Sequence, residues 1–311
     1  MPSESAFLPQ LRRIATDPAA RGLLDDVAVL GDLVLTHDSI AEGVHYLPTD
    51  PPASVGWKLA AVNLSDLAAK GAEPIAALLS LTLAGDGEWE NGFLEGLAAA
   101  CESYSLPLVG GDTIALPPGA PRVLGLTAVG RATVPAPDRR GGRPGDELWL
   151  AGTLGDSAAG LALLATDPAT EGPLVDIFRR PVPLLAAGRL LAPLATAMMD
   201  VSDGLLLDCQ RLCMASDCGA AIDLDALPLS SAFVAERGGG LPERLFAATG
   251  GDDYALLAAL PPGIDPVTLS LPGKARLTRI GTLTDGDAIR LTDRQGAVPL
   301  PERLGHEHRT H

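Results

Sequence analysis

The sequence predicts an α/β (α+β) protein of two domains, and three observations carry that prediction. Runs of strand character alternate with helical patterns along the chain, as when helices cover a sheet rather than stack as repeats. A length of 311 residues suits about two domains. The Pro/Gly/Arg-rich stretch from Pro135 to Gly145 supplies a boundary, dividing the chain into residues 1–138 and 139–311.

Composition narrows the function. With 47% hydrophobic and 20% charged residues, the chain can bury substantial cores. A net charge of −16 argues against non-specific binding to nucleic acid or an anionic membrane. Lysine occurs only at Lys58, Lys70 and Lys274, so arginine carries the positive charge. Of the four cysteines, Cys209, Cys213 and Cys218 show no C-x-x-C spacing and read as buried thiols rather than a zinc site, with Cys101 standing apart. The most apolar run, Val182 to Met199, is broken by Pro183, Arg189 and Pro193 and is not a membrane span. No signal-peptide pattern opens the chain, and a soluble, reducing, cytoplasmic setting is expected.

Taken in order, a short helical segment (Leu8 to Ile14) leads to Asp25-Asp26 at the start of an apolar strand ending at Leu30. Gly31-Asp32 turns into a second strand that delivers Thr36-His37-Asp38, followed by Gly43-Val44-His45. After Pro51-Pro52, Val55, Leu59 and Val62 mark the buried face of a helix from Ser54 to Lys70, with Gly71 placed to cap it in a left-handed conformation. Asn63 and Asp66 share one face of that helix. Either Asp66 pairs with Lys70 at i+4 on the surface, or it points from a rigid helix into an acidic site. A strand (Ala76 to Leu83) and a helix (Asn91 to Ser103) precede a short apolar strand that empties into a Gly110-Gly111-Asp112-Thr113 turn. Arg122 to Gly130 is a further strand.

The second half repeats these devices without a detectable sequence repeat. A strand (Glu147 to Ala151) and a helix (Gly155 to Leu164) are followed by a long helix from about Val182. The strand Thr196 to Val201 enters Asp200-Val201-Ser202-Asp203-Gly204, and a helix runs on to about Ser216. Gly219 to Leu224 is a strand, then Gly250-Gly251-Asp252-Asp253-Tyr254 leads an apolar run to Leu260. Asp285-Gly286 reads as a hairpin turn between Leu277–Leu283 and Ala288–Leu291.

Seven aspartates, Asp26, Asp38, Asp66, Asp112, Asp200, Asp203 and Asp252, lie among apolar or glycine residues rather than in solvated runs. Hard oxygen donors with few His or Cys nearby favour Mg²⁺ over zinc, and divalent ions would relieve the repulsion among buried carboxylates and recruit phosphates. That chemistry points to phosphoryl transfer. No G-x-x-x-x-G-K-[ST] loop is present, so an ATP site must hold its phosphates through metal and arginine, with Arg139 and Arg140 as candidates.

Asp25-Asp26, Thr36-His37-Asp38 with Gly43-Val44-His45, Asn63 to Ala69, Gly110 to Thr113, Gly155 to Gly160, Asp200 to Gly204 and Gly250 to Tyr254 occur in the order found in one family. In these segments the chain resembles the thiamine-monophosphate kinases, whose superfamily includes aminoimidazole ribonucleotide synthetase and selenophosphate synthetase. The resemblance implies ATP-dependent phosphorylation of thiamine monophosphate to thiamine diphosphate. It also implies a two-domain fold of the aminoimidazole ribonucleotide synthetase type, with N-terminal strands forming a barrel across a homodimer. Carried over by position, Asp26, Thr36, His37, Asp38, Asp66, Asp112, Asp200 and Asp203 would bind several Mg²⁺ ions, with Asp66, Asp112 and Asp203 central to catalysis. Gly111, Asp112, Arg139, Ser202 and Tyr104 would contact ATP, and His45, Asp252 and His306 the thiamine phosphate. The chain departs from the family pattern at His37 (usually Ser or Thr), Asp252 (usually Glu) and His306 (usually an aromatic that stacks on the substrate). His306, His308 and His311 also fit a plain tail, which leaves two readings open for His306. A selenophosphate synthetase would need a reactive Cys and Lys in an N-terminal Gly-rich loop, and here none precedes Cys101 and Lys58. A non-enzymatic metal-binding protein would explain the acids but not Gly-Gly-Asp-Thr together with Arg139.

Overall fold

The computed structural model describes residues 7–264 and 276–307, so His308 and His311 lie outside the described residues. Helix α1 (Leu8–Arg12) precedes β1 (Ala28–Leu30), which forms a hairpin with β2 (Leu33–Ala41) through Gly31. Then follow α2 (Pro52–Ala69), β3 (Ala72–Leu83), α3 (Gly87–Ser103), β4 (Leu108–Ala115) and β5 (Val123–Ala132). These strands make an open five-stranded sheet ordered β1-β2-β5-β3-β4, in which only the β3–β4 pair is parallel. The β3–α3–β4 crossover explains that pair, because parallel neighbours need a long connection.

Alternation along the strands sorts residues between the faces. Val34, Ile40, Leu79, Leu124, Leu126 and Ala128 are buried with Leu59, Leu64 and Leu67 of α2 in one core. On the other face His37, Ser39, Leu78, Ser80, Asp112, Ile114 and Val123 are exposed. The sequence reading made Gly110 to Thr113 a turn after a strand. Instead they lie inside β4, where Asp112 pairs with Ser80 and Gly111 with Leu79. Gly111 allows this: at its φ of 152°, a Cβ would fall 2.0 Å from the Leu79 carbonyl oxygen.

The second half contains β6 (Glu147–Ala151), α4 (Asp156–Thr166), α5 (Pro173–Arg179), α6 (Leu185–Leu191), β7 (Ala197–Val201), α7 (Leu205–Ser216), β8 (Gly219–Asp223), α8 (Ser231–Arg237), α9 (Leu241–Thr249), β9 (Ala255–Leu260), β10 (Leu277–Thr284), β11 (Ile289–Asp293) and β12 (Gly296–Val298). Its seven-stranded sheet runs β12-β11-β8-β10-β6-β9-β7. Two sequence expectations are corrected here. The long helix from Val182 is the seven-residue α6, confined between Pro183 and Pro193. The strands flanking Asp285-Gly286 do not pair as a hairpin, because β8 lies between them, antiparallel to β10 and parallel to β11. Its Gly-Ala-Ala start is slim enough to fit. A Cβ on Gly219 would come within 2.6 Å of the Ala288 carbonyl oxygen.

Helix α2 joins the two halves. All its residues except Pro52, Ala53 and Trp57 are buried, so it has no solvent face. The amphipathic pattern read from Val55, Leu59 and Val62 captured only part of this burial. The helix also meets Met198 of β7 and Leu256, Ala258 and Leu260 of β9 in the same core. Helix α6 packs so closely that a Cβ on Gly188 would lie 1.9 Å from the Ala68 carbonyl oxygen.

Candidate active site

Helix α2 also carries the polar residues that organise the site. Asn63 accepts from the Asp38 backbone N–H through Oδ1 at 2.9 Å and donates through Nδ2 to the Leu59 carbonyl at 3.0 Å. Ser65 donates to Asp200 Oδ2 at 2.7 Å, reaching into the C-terminal half. Asp66 accepts a short hydrogen bond from the buried Thr36 hydroxyl. Lys70 bypasses Asp66: its ammonium donates to Asp25 Oδ1 at 2.5 Å and to the Met198 carbonyl at 2.9 Å, and lies 3.5 Å from Asp26. The choice left open by the sequence is thereby made, with Asp66 facing inward.

Around this helix the chain gathers carboxylates from three elements. Asp26, Asp66 and Asp200 each offer an oxygen within 4.8 Å of the others. At that separation two carboxylates repel by roughly 3 kcal/mol at an effective dielectric of ~20. Burial, with Asp38 and Asp200 close by, holds the Asp66 carboxyl well above the usual range. Burial likewise raises Asp200 to about 7, against the opposing pull of its bond from Ser65. Asp38 is raised too, mainly by burial, with His37 lowering it and Asp203 raising it. Asp200 Oδ1 is buried with no hydrogen-bond partner among the described residues. An all-oxygen donor set, mutual repulsion and an orphaned buried oxygen fit a hard divalent cation such as Mg²⁺.

Arginines border this cluster. Arg139 grips Asp26 through both Nε and a terminal nitrogen, whereas Arg140 turns to solvent and pairs with Asp138. Of the two sequence candidates, only Arg139 reaches the acids. Asp203 pairs with Arg211 at 2.5 Å, and its backbone N–H, with that of Ser202, donates to the buried Asp208 carboxylate at 2.9 and 3.0 Å. Asp208 thus anchors the Ser202–Asp203 turn. The backbone of His306 donates to the Asp203 carbonyl at 2.8 Å, laying the C-terminal segment over the same turn.

The residues assigned by resemblance to the acceptor substrate lie beside it. His45 follows the end of β2, and its Nδ1 accepts from the Ala41 N–H at 3.0 Å. Asp252 sits between α9 and β9 with φ at +65°, and its N–H donates to the Ser202 carbonyl at 2.7 Å. Its carboxylate accepts from Lys58 at 2.6 Å and from the Tyr254 hydroxyl at 3.0 Å.

Other candidates stand apart. From Asp38, opposite Leu126 of β5, the register passes to Leu79 of β3 and Gly111 of β4. Three strand spacings put Gly111 about 14 Å from Asp38. Asp112 projects from the exposed face, away from α2. The His37 side chain is on that face too, bonded to the Thr127 hydroxyl at 2.9 Å. Tyr104 caps α3 and packs edge-on against Trp57 at 5.6 Å.

Sequence reasoning gave no role to Lys58 or Asp208 and paired Lys70 with Asp66, whereas Lys58 holds Asp252, Lys70 holds Asp25, and Asp208 anchors the Ser202–Asp203 turn. A signal existed for the lysines: two of the three in the chain fall in one Ala/Leu-rich helix.

Comparison with known proteins matches residues 24–132 to the AIR synthase related protein N-terminal domain and residues 143–294 to the corresponding C-terminal domain. The thiamine-monophosphate kinase of Salmonella typhimurium is 38% identical over 252 residues, covering 77% of this chain and 76% of the relative. That of Caulobacter vibrioides is 35% identical over 332 residues, covering 99% and 91%. Among solved structures, AaThiL complexed with AMPPCP and TMP superposes with a TM-score of 0.84 at 30% identity, covering 98% of this chain and 97% of that one. With both halves of the AIR synthase related fold matched and full-length kinases aligned along nearly its whole length, the chain belongs to the thiamine-monophosphate kinase family.

Proposed function

We propose that this protein transfers the γ-phosphoryl group of ATP to the phosphate of thiamine monophosphate, forming thiamine diphosphate with the help of several Mg²⁺ ions. The observation that carries this reading is the convergence of Asp26, Asp66 and Asp200 from both halves of the chain, with one carboxylate oxygen of each within 4.8 Å of the others. The family places phosphate chemistry at such a fold, and AaThiL with AMPPCP, a non-transferable ATP mimic, and TMP supplies the substrate pair. Asp26, Asp38, Asp66, Asp200 and Asp203 would hold the ions, with the Thr36 hydroxyl beside them. When bound, the ions would neutralise both the carboxylates and the reacting phosphates.

The chain's own residues do the rest. Asn63 holds the Asp38 backbone, Ser65 the Asp200 carboxylate and Lys70, at the end of the same rigid helix, the Asp25 carboxylate, so little reorganisation is needed when substrates arrive. Arg139, which now holds Asp26, would contact the nucleotide phosphates. His45, Asp252 and His306 would receive the thiamine moiety. Transfer is direct in this reading, because the acceptor already carries a phosphate oxygen able to attack the γ-phosphoryl group.

We further propose a homodimer. The uncovered face of the N-terminal sheet ends in β4, all eight residues of which are exposed, including Leu108, Val109 and Ile114 at 46, 64 and 54%. An edge strand this apolar invites a partner. A second copy there would close a barrel and let Gly111, Asp112 and Tyr104 complete the site of the other subunit. The buried, unpaired thiols Cys209, Cys213 and Cys218 suit a reducing, cytoplasmic setting. Among the described residues no helix is long and apolar enough to cross a membrane.

The test is purified protein with Mg-ATP and thiamine monophosphate, with thiamine diphosphate measured directly. Product at a rate proportional to enzyme is expected. ATP consumption without thiamine diphosphate would overturn the reading.

A further inference from the structure

Lysine is scarce in this chain, yet Lys58 is 2% exposed in the interior beside the carboxylate cluster. A buried ammonium is costly unless it is fully paired. Lys58 reaches that state with groups from three separate segments. It donates to the carbonyl of His45 at 2.9 Å and to Asp252 Oδ2 at 2.6 Å, and it stands 4.0 Å over the centre of the Phe178 ring. With a carbonyl, a carboxylate and a ring face around it, the ammonium is engaged within the chain.

What it joins is informative. His45 belongs to the N-terminal half and Asp252 to the C-terminal half, and this ammonium bridges the two. The Asp252 side chain is 28% exposed, so the pair is buried at its lysine end and open at its acid end. Asp252 is further held by the Tyr254 hydroxyl at 3.0 Å and by its own N–H on the Ser202 carbonyl at 2.7 Å. Asp252 and Tyr254 both take positive φ, at 65° and 51°, which non-glycine residues adopt rarely and keep where the surroundings enforce it. Lys58 stands two helical turns before Ser65 and Asp66 on the helix that carries the metal-binding candidates. One rigid element thus sets the acids at one end and the His45–Asp252 pair at the other.

We propose that Lys58 is a positioning residue for the acceptor substrate, holding the His45 segment and the Asp252 carboxylate in one geometry to receive a cationic heteroaromatic phosphate ester. This rests on the kinase reading above. It deepens that reading by separating acceptor affinity from nucleotide affinity within α2. It also accounts for a one-methylene-shorter acid at position 252, since a fixed lysine sets where the carboxylate stands.

The experiment uses full-length Lys58→Met and Lys58→Arg proteins. Calorimetry measures binding of thiamine monophosphate and, separately, of Mg-AMPPCP, beside KM and kcat for each substrate. Loss of a charge-assisted bond should weaken thiamine monophosphate binding of Lys58→Met about tenfold or more, with AMPPCP affinity held within about twofold. Lys58→Arg should recover most of the loss, and adding Asp252→Ala to Lys58→Met should weaken acceptor binding little further. Equal weakening of both ligands, or unchanged acceptor affinity, overturns the proposal. If Lys58→Met does not fold, Asp252→Asn carries the test: it removes the ion pair but leaves the lysine bonded to His45, and normal acceptor affinity would again overturn it. A wild-type protein that makes no thiamine diphosphate would instead defeat the kinase reading.

Discussion

The chain contains Gly-Gly-Asp twice, and the fold treats the two copies oppositely. Gly110-Gly111-Asp112 lies in the edge strand β4, exposed along its length, on a sheet face left open among the described residues. Gly250-Gly251-Asp252 links α9 to β9 against the domain junction, where Asp252 pairs with Lys58 and the following Asp253 accepts from the Gly155 N–H at 2.8 Å. In both, glycine admits a neighbouring backbone: a Cβ on Gly111 would meet the Leu79 carbonyl oxygen at 2.0 Å, and one on Gly251 the Ser202 carbonyl oxygen at 2.9 Å. The lesson is that the motif encodes close backbone approach, while the surrounding surface decides what the aspartate serves. The inner acid is completed within the chain. The outer one stands open on an exposed edge strand.

The sharpest way to break this comparison is to mix variants. Asp66→Asn and Asp112→Asn should each lower kcat by about a hundredfold or more, with folding intact, because each removes charge placed for the transition state. Asp66→Asn should also raise the Mg²⁺ requirement. If Asp112 serves the partner's site, dissociating and remixing the two inactive proteins should restore activity, up to about a quarter of wild type for random pairing. No recovery in verified mixed dimers would put Asp112 back in its own subunit or outside the site.

Next in size is Gly111→Ala. The added methyl collides with main chain on β3 and its backbone is at positive φ, so a stability loss of about 2–4 kcal/mol is expected by chemical denaturation. Gly251→Ala, with 2.9 Å rather than 2.0 Å of clearance, should lose less. The reverse order would contradict the packing described for β4.

Asp252→Ala should raise KM for thiamine monophosphate about tenfold and leave KM for ATP nearly unchanged. An effect confined to ATP would reverse the assignment of that carboxylate.

The smallest effect is on stability. Asp200 is raised to about 7 in the folded protein, against about 3.9 for an unfolded aspartate. Between those values the folded state holds more protons, so its contribution is full below the unfolded pKa and is lost as pH rises through 7. In chelator-treated protein, Tm should therefore fall by about 2 °C between pH 6 and pH 8, and Asp200→Asn should flatten that slope. Added Mg²⁺ should restore the Tm at pH 8. A metal-free Tm that climbs over this range would contradict the crowded-acid picture.

Much of the site was legible because its chemistry is local. Asp66 faces inward from a helix whose period is written in Val55, Leu59 and Val62, and Asp200 ends the strand that its apolar run announced. Lys58 and Lys70 were not legible as structural centres. Their partners, Asp252 and Asp25, are 194 and 45 residues away, and no local pattern encodes such a pairing. The Asp285-Gly286 hairpin failed for a related reason. Turn chemistry reports that the chain reverses, and not whether a third strand such as β8 will be drawn between the two arms.

By itself the sequence determined the alternation of strands and helices, the acidic oxygen-donor chemistry and the family, since periodicity, residue type and motif order are properties of short segments. The tertiary structure alone decided that α2 is buried on every side, that Lys70 takes Asp25 rather than Asp66, and that Asp112 faces away from the other acids. Those outcomes depend on which distant surfaces meet. A buried charge must find its counter-charge wherever the fold brings one, and a strand's outward face follows from the sheet it joins.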